Sequence, residues 1–206
     1  MTFSMFGRIA GVAAIALVVA GCSRDWKTDY ANGIDPAVSR QWNVRAITVN
    51  VPEELTVSDA NTWAPQVDIV WHGDPAGDRK LQVAELVEDG IEQGSAALRG
   101  PRAVNIGVTM QRFHAITPRV EANLENSGVH DIRYVIQVFD ARTGAALTQP
   151  EPIAADIAAL VGKQAREARA QGITQKDEIV PHIARVTAGW LGIGPDVRNK
   201  FRRLGR

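Results

Sequence analysis

The feature that most constrains the fold is a set of three runs in which apolar residues recur at every second position. The apolar members lie at every second position over residues 104–110, 120–124 and 132–138. A period of two puts them all on one face of a β-strand. Turn-forming sequences, Thr117-Pro118 and Asn126-Ser127-Gly128, separate the runs. The pattern predicts an antiparallel meander with one face against a hydrophobic core.

Further strands are predicted on both sides of this meander. The pattern changes from Val44: Ile47, Val49 and Val51 alternate with the residues between them, and the run stops at Pro52, which suits the end of a strand. The short apolar run 66–71 is a second candidate. After the meander, residues 140–144 are typical of a turn that leads into a short return strand at 145–148.

Helical spacing, with apolar residues three and four positions apart, predicts a helix after the second of these strands. Asp78 is its predicted N-cap, and the helix should end near residues 94–100. Its predicted apolar stripe consists of Leu81, Ala84, Val87 and Ile91.

Two more helices are predicted towards the C-terminus, with apolar stripes over residues 153–165 and 179–190. Pro181 bears on where the last one begins. With Asp177 as N-cap, Pro181 would be the fourth helical residue and its missing N–H would cost nothing, whereas a start at Thr174 predicts a kink. We favour Asp177. The predicted fold class is α+β, an antiparallel sheet of four to five strands with helices packed on one face.

The N-terminus has the layout of a signal peptide. Arg8 precedes an apolar stretch over residues 9–20, which is shorter than the ~20 residues that a membrane-spanning helix needs. The sequence Val19-Ala20-Gly21-Cys22 resembles the bacterial lipoprotein box. That resemblance implies cleavage before Cys22 and lipid on its thiol, and Ser23 after the cysteine implies sorting to the outer membrane.

Three segments are expected on this basis. They are a signal peptide at 1–21, a lipidated cysteine and tether at 22–43, and one α+β periplasmic domain at 44–206 with a basic C-terminal tail. Without the signal peptide, which contains one of the 23 basic residues, 22 basic residues face 23 acidic ones, a formal net charge of −1. We therefore expect no nucleic-acid binding. Cys22 is the only cysteine, so the domain can have no internal disulfide and no thiolate metal cluster.

The polar segment at residues 68–79 is the first candidate site. Asp74, Asp78 and Arg79 lie around a Pro/Gly turn close to His72. Carboxylates near a histidine can do acid–base work or hold a cation. The alternative is structural, because a turn followed by a helix cap uses aspartates at such positions.

Arg112, His114 and His130 form the second candidate site, at the ends of predicted strands. Together with Asp74 they would make a pocket for an anionic group. In a meander, however, residues 112–114 and 131–133 lie at opposite ends of the sheet, so their meeting is not assured. The alternative is that these cations cover a sheet edge or pair on its surface.

Sequence motifs for metal, cofactor or catalytic sites are missing from the chain. No histidine has another histidine two to four residues away, and there is no nucleophile elbow, P-loop or His-Glu-x-x-His sequence. We therefore expect no metal, no cofactor and no catalysis.

The C-terminus carries a basic cluster, made up of Arg198, Lys200, Arg202, Arg203 and Arg206. Such a cluster could touch anionic lipid or another anionic envelope surface. The alternative, which we favour, is a solvated terminus.

Several short stretches together resemble an uncharacterised family of small alphaproteobacterial envelope lipoproteins. They are Val51-Pro52, Val57-Ser58, Pro65, residues 68–79, residues 112–117, Gly128-Val129-His130 and residues 140–144. The resemblance spans most of residues 44–190. It implies no functional residue, because that family has no known activity.

The leading hypothesis is a non-enzymatic interaction or assembly module. Lipid on Cys22 would hold it at the periplasmic face of the outer membrane, where it would bind an envelope protein. The alternative is a periplasmic ligand-binding or catalytic domain centred on Asp74, Arg79, Arg112, His114 and His130. Convergence of those side chains in an open pocket would favour the alternative, and their dispersal would favour the interaction module.

Overall fold

The structure, a computed structural model, describes residues 26–202 and has eight strands and five helices within that range. The strands are β1 (Trp26–Asp29), β2 (Trp42–Asn50), β3 (Ile69–Val70), β4 (Arg102–His114), β5 (Val129–Asp140), β6 (Glu151–Ala155), β7 (Ile157–Ala158) and β8 (Asn199–Phe201). The helices are α1 (Pro36–Ser39), α2 (Arg79–Ser95), α3 (Pro118–Asn123), α4 (Gly162–Ala170) and α5 (Gln175–Trp190). The predicted signal peptide, Cys22 and the last two arginines lie outside the described residues.

The two longest strands, β4 and β5, pair antiparallel in the middle of the sheet. Their inward residues, at every second position from Val104 to Met110 and from Ile132 to Val138, are at most 2% exposed. These are the residues that the alternation assigned to the core, and the prediction is confirmed.

The sheet is larger than predicted and contains both strand directions. Its order is β2-β4-β5-β6-β1-β8, with β3 beside β4 and β7 beside β5. β2 and β3 run parallel to β4, and α2 supplies the crossover that a parallel connection needs. The α+β class is confirmed, but the prediction of four to five antiparallel strands was wrong in number and in direction.

Residues 120–124, predicted as the middle strand of the meander, lie mostly in helix α3. Thr117 is the N-cap, and its hydroxyl accepts a hydrogen bond from the Val120 amide, while Pro118 is the first helical residue. Val120 and Leu124 are four residues apart and belong to one small apolar cluster. β4 and β5 therefore pair directly, with no strand between them.

Much of the segment predicted as a tether, residues 22–43, is folded. β1 pairs with β6 on one side and with β8 on the other. Tyr30 is 3% exposed in the main core, and Asp35 caps α1. The sequence of β1 is mostly polar and carries no clear alternation, so its neighbours in the sheet, rather than its own pattern, specify it. The folded domain begins no later than Trp26.

Residues 153–165, predicted as one helix, comprise two short strands followed by the start of α4. β6 occupies the sheet position between β5 and β1, and β7 pairs with the start of β5. Ile153, Ile157 and Val161 are spaced by four residues. Four is also a multiple of the strand period, so the spacing fits both structures.

Helices α2 and α5 pack against each other and cover the inner face of the sheet. Two glycines of α2 permit their close approach. A Cβ atom on Gly90 would lie 2.7 Å from the Ile183 side chain, and one on Gly94 would lie 2.5 Å from the Ala184 carbonyl oxygen. Among residues 26–202, no helix combines the length and the apolar character needed to cross a bilayer.

The N-cap of α2 is Asp78, as predicted. Its buried stripe, however, is rotated from the predicted one. Leu81 is 57% exposed, whereas Val83 and Leu86, which the prediction left out, are fully buried.

α5 begins one turn earlier than predicted. Thr174 is the N-cap, and a capping box joins it reciprocally to Asp177 at the third helical position. The choice of Asp177 as N-cap was therefore wrong. Pro181 lies inside the helix, where it cannot donate the usual backbone hydrogen bond.

Candidate functional site

The six candidate side chains lie in two separate places. The Asp68–Arg79 segment, which leads from β3 into α2, holds Asp74, Asp78 and Arg79. The end of β4 and the start of β5 hold Arg112, His114 and His130. Residues 112–114 and 131–133 do meet, contrary to the geometry of a meander, because β4 and β5 pair directly and place His114 opposite Asp131. His130 does not join Arg112 and His114, because it comes one position before Asp131 and its side chain lies on the other face of β5.

Arg79 links the loop to the start of α2. Its side chain is 8% exposed, and Nε donates to the Asp59 carboxylate at 2.7 Å. Nη1 donates to the backbone carbonyls of Asp74 and Pro75 at 3.1 and 3.0 Å, and to Oε1 of Gln82 at 2.7 Å. Through these contacts the guanidinium holds together the loop that precedes α2.

The two aspartates of this segment also have structural partners. Asp74 accepts hydrogen bonds from Trp71 Nε1 at 2.7 Å and from Lys176 Nζ at 3.2 Å. Burial raises the pKa of Asp74, but these hydrogen bonds outweigh it, so the pKa lies below its usual value. Asp78 accepts from the amides of Lys80 and Leu81, as an N-cap does.

A buried charge cluster, made up of Arg112, Asp131, Arg133 and Asp156, lies at the second place. Asp131 is 3% exposed and forms ion pairs with Arg112 at 2.9 Å and with Arg133 at 2.8 Å. Arg133 also lies 3.6 Å from Asp156, which is fully buried. Two cations and two carboxylates thus balance one another at the end of the sheet where β5 begins.

Asp156 holds together parts of the chain that are far apart in sequence. One carboxylate oxygen accepts from the Lys27 amide at 3.0 Å and the other from the Ile132 amide at 3.2 Å. Burial raises the pKa of Asp156 to about 6, and the nearby Asp131 carboxylate acts in the same direction, although the Lys27 amide and the charge of Arg133 oppose it.

The two histidines of the second group are engaged in different ways. His114 Nε2 lies 3.0 Å from the Pro65 carbonyl and donates to it, which ties the 51–68 loop to β4. Burial lowers the pKa of His114. His130 is fully buried, its Nδ1 lies 3.4 Å from the Ile116 amide, and its Nε2 lies 3.9 Å from a Glu178 carboxylate oxygen.

His182 and Thr28 lie beside the buried charge cluster, in an open groove of about 500 Å³. Thr28 Oγ1 donates to the Asp156 carbonyl at 3.0 Å and lies 3.4 Å from His182 Nε2. Burial lowers the pKa of His182 to about 4. The hydroxyl proton of Thr28 is directed at a backbone carbonyl, and the Asp156 carboxylate receives backbone amides. The three residues therefore do not form a nucleophile–histidine–carboxylate relay.

Sequence reasoning missed Asp156 and His182 as members of a polar site. Asp156 is the one charged residue between Pro152 and Val161, and a lone carboxylate in an apolar run is a signal that could have identified it. His182 offers no such signal, because its neighbours in sequence have the pattern of an ordinary amphipathic helix. Within residues 26–202, no group of three or more histidine, cysteine, aspartate or glutamate side chains is arranged to hold a metal ion.

Open surfaces lie elsewhere on the domain. β2 is the edge strand of the sheet, and a groove of about 380 Å³ runs between it and α2. An apolar groove of about 440 Å³, lined partly by Trp42, Leu147 and Trp190, lies at the end of the sheet where β2 begins. Of the six candidates, Arg112 lines a smaller polar groove of about 300 Å³ together with Asp68.

The basic tail is in part a strand. Residues 199–201 form β8, which pairs with β1. Arg198 pairs with Asp196 at 2.6 Å, and its guanidinium stacks over the Tyr30 ring at 4.8 Å from the ring centre. The described part of the cluster is therefore ordered against the domain.

Comparison with known proteins gives one family match. The model of a family of unknown function, DUF6778, matches residues 42–206. The match confirms the predicted resemblance to a family without a known function. No curated protein sequence matches the chain.

Two solved structures share a general likeness with the fold. A proposed lipoprotein from Caulobacter crescentus CB15 is 14% identical, with a TM-score of 0.31, over 78% of this chain and 97% of the other. A variant PelC dodecamer from Paraburkholderia phytofirmans is 8% identical, with a TM-score of 0.30, over 78% of this chain and 95% of the other. Both TM-scores are low, and neither structure informs the function of this chain.

Proposed function

We propose that this chain, which belongs to the family of unknown function DUF6778, is a lipid-anchored envelope protein that binds another polypeptide and catalyses no reaction. Its anchor is Cys22, directly after a signal peptide that resembles those of bacterial lipoproteins. Ser23, directly after the cysteine, favours the periplasmic face of the outer membrane.

The open edge of β2 is the observation that carries the binding role. β2 has nine residues and pairs with β4 on one side, and within residues 26–202 no strand pairs with its other side. An open strand of this length offers a row of backbone donors and acceptors to an extended segment of a partner. Its β-bulge between Val44 and Ala46 interrupts the flat edge near one end and leaves the remainder regular.

The groove beside this edge gives the partner a side-chain contact. It is lined along β2 by residues 44–47 and along α2 by Glu88, Glu92 and Ser95. Arg45 and Arg99 add positive charge. An added strand would place every second side chain in this groove, because successive side chains point to opposite faces. Because the lining carries both positive and negative side chains, it favours a partner segment with charged residues of both signs.

The state of the candidate polar residues supports a role without catalysis. Arg79, Asp74 and Asp78 close a loop and cap a helix, and the charges of Arg112 and Asp156 are balanced by partners within the protein. A catalytic group must reach substrate in a suitable protonation state. These side chains are directed at protein groups instead.

Photo-crosslinking in cells tests the binding surface. A photoreactive amino acid at Thr48, exposed on β2, should give an adduct with one envelope protein, whereas the same group at Arg142, exposed in the turn after β5, should not. Mass spectrometry should locate the linked residue in a single extended segment of that partner. Equal adducts from both positions, or adducts to many unrelated proteins from Thr48 alone, would contradict the proposal.

A further inference from the structure

Four of the five large apolar side chains exposed in the described part of the chain lie at one end of the sheet. They are Val57, Trp63, Leu81 and Ile173, which are between 39% and 57% exposed, while Val38 lies at the opposite end. Single exposed apolar residues are ordinary, but a concentration at one end calls for an explanation.

The topology fixes which end this is. β4 ends at His114, and the loop that carries Trp63 is attached there, since the Thr62 carbonyl accepts from the Thr117 hydroxyl. Val57 bridges to β3 beside the same end of β4. α2 and α5 both begin at this end, which places Leu81 in the first turn of α2 and Ile173 just before α5.

The chain enters the domain at the same end. Thr28 pairs with Ala155, and the preceding residue of β6, Ala154, lies opposite Arg133. This register puts Trp26, two residues before Thr28, level with the start of β5. Cys22 precedes Trp26 by four residues, which reach about 14 Å even when fully extended.

We infer that this end of the domain, with Trp63 and Ile173, rests on the phospholipid bilayer that holds Cys22. The inference depends on the lipid anchor of the proposed function. A short connection cannot keep the entry end far from the bilayer, so the residues around it face lipid before they face any other partner. The bilayer is therefore the occupant that the geometry favours over a second protein.

The side chains at this end suit the headgroup region. Trp63 is 53% exposed, and an indole, which is apolar with one N–H donor, is the side chain preferred where acyl chains meet water. The Arg119 guanidinium lies over its ring, 5.4 Å from the centre. The cation steadies the ring from one side and can reach a lipid phosphate from the same position.

Quenching of tryptophan fluorescence by brominated lipid tests this orientation. The chain from Cys22 onwards, which contains the whole described fold, is coupled through its only thiol to a maleimide lipid. The vesicles are made of phosphatidylethanolamine and phosphatidylglycerol with brominated acyl chains. The Trp63→Phe variant removes the reporting indole. A second control, Trp63→Phe with Val38→Trp, moves an exposed indole to the opposite end.

The brominated vesicles should quench the unaltered protein more strongly than either control, and its emission should shift to the blue on tethering. Equal quenching of all three proteins would overturn the orientation, as would stronger quenching of the Val38→Trp protein. Because the tether is chemical, this result does not depend on lipidation in the cell. Labelling with a fatty-acid analogue, compared between the unaltered chain and Cys22→Ser, tests the anchor separately: equal labelling would remove the proposed anchor while the vesicle result still stands.

Discussion

The Asp68–Arg79 segment and the buried charge cluster are both rich in charge, but they place it in different surroundings. In the segment, the carboxylate that pairs with Arg79 belongs to Asp59, which is 63% exposed. In the cluster, Asp156 has no exposed surface and Asp131 very little. If one partner of an ion pair is removed, water can take its place in the first region but cannot do so in the second.

The two regions also differ in how far along the chain their contacts reach. Arg79 contacts groups between three and twenty residues away. Asp156 accepts from the amide of Lys27, 129 positions earlier, and so joins β1 to β5 and β6. The segment can form as soon as its loop closes, whereas the cluster forms only when the sheet is assembled. The stretch of sequence that is densest in polar residues is therefore a turn. The charges that are costly to bury lie in the buried charge cluster, whose members are far apart in sequence.

The largest effect is expected from Asp156→Ala. This change leaves the amides of Lys27 and Ile132 without an acceptor and removes one of the two carboxylates near Arg133. Loss of one partner from a buried, hydrogen-bonded charge group should lower the free energy of unfolding by about 4 kcal/mol. Equilibrium unfolding in urea measures it.

The matched change in the other region is Asp59→Ala, which removes the exposed partner of Arg79. It should cost within about 0.5 kcal/mol, because an exposed ion pair contributes little. If the two substitutions destabilised the protein equally, the contrast between a buried cluster and a solvent-exposed segment would be lost.

The second prediction concerns pH, because the pKa values of Asp156 and His182 are shifted in opposite directions. The folded-state pKa of Asp156 is raised from 3.8 to about 6, so its contribution to stability is fully present below about pH 4 and is lost as pH rises through 6. The folded-state pKa of His182 is lowered from 6.5 to about 4, so its contribution is present above about pH 6.5 and is lost as pH falls through 4. The two effects oppose each other in the unaltered protein.

Single substitutions should expose each effect. At ~1.4 kcal/mol per pKa unit, each amounts to about 2–3 kcal/mol over this range. The destabilisation caused by Asp156→Asn should grow as pH falls from 7 to 4, and that caused by His182→Gln should shrink. Urea unfolding across this range checks both. Destabilisations that stay constant with pH would show that neither group changes its pKa on folding.

The core of the sheet could be predicted because the alternation of apolar residues along β4 and β5 shows which face of each strand is buried. The helix at 118–123 could not be predicted from periodicity, since three alternating apolar residues also fit one turn of helix. Thr117-Pro118 was interpreted as a turn, although a threonine cap followed by proline is a common start of a helix. That one error separated β4 from β5 and placed Arg112 and Asp131 at opposite ends of the predicted sheet.

The site was predictable only where its contacts are local. Asp78 as N-cap follows from the residues that come directly after it, and the structure agrees. The pairing of Arg112 with Asp131 depends on the register of two strands, and the burial of Asp156 depends on β1 and β6 becoming neighbours. The lone carboxylate in an apolar run could have marked Asp156, but neither the strand register nor the β1–β6 pairing can be read from the sequence near those residues.

A modest effect is expected from Asp78→Ala, which tests the segment as a purely local structure. Asp78 accepts hydrogen bonds from the amides of Lys80 and Leu81 at 2.9 and 3.1 Å and faces the positive end of the α2 dipole. Loss of this cap should cost about 1 kcal/mol, and Asp78→Ser, which keeps a capping oxygen, should cost only a few tenths. The urea midpoint should shift accordingly, with an unchanged slope. A loss as large as that of Asp156→Ala would mean that the start of α2 supports the whole fold, and the segment would then belong with the buried cluster rather than in contrast to it.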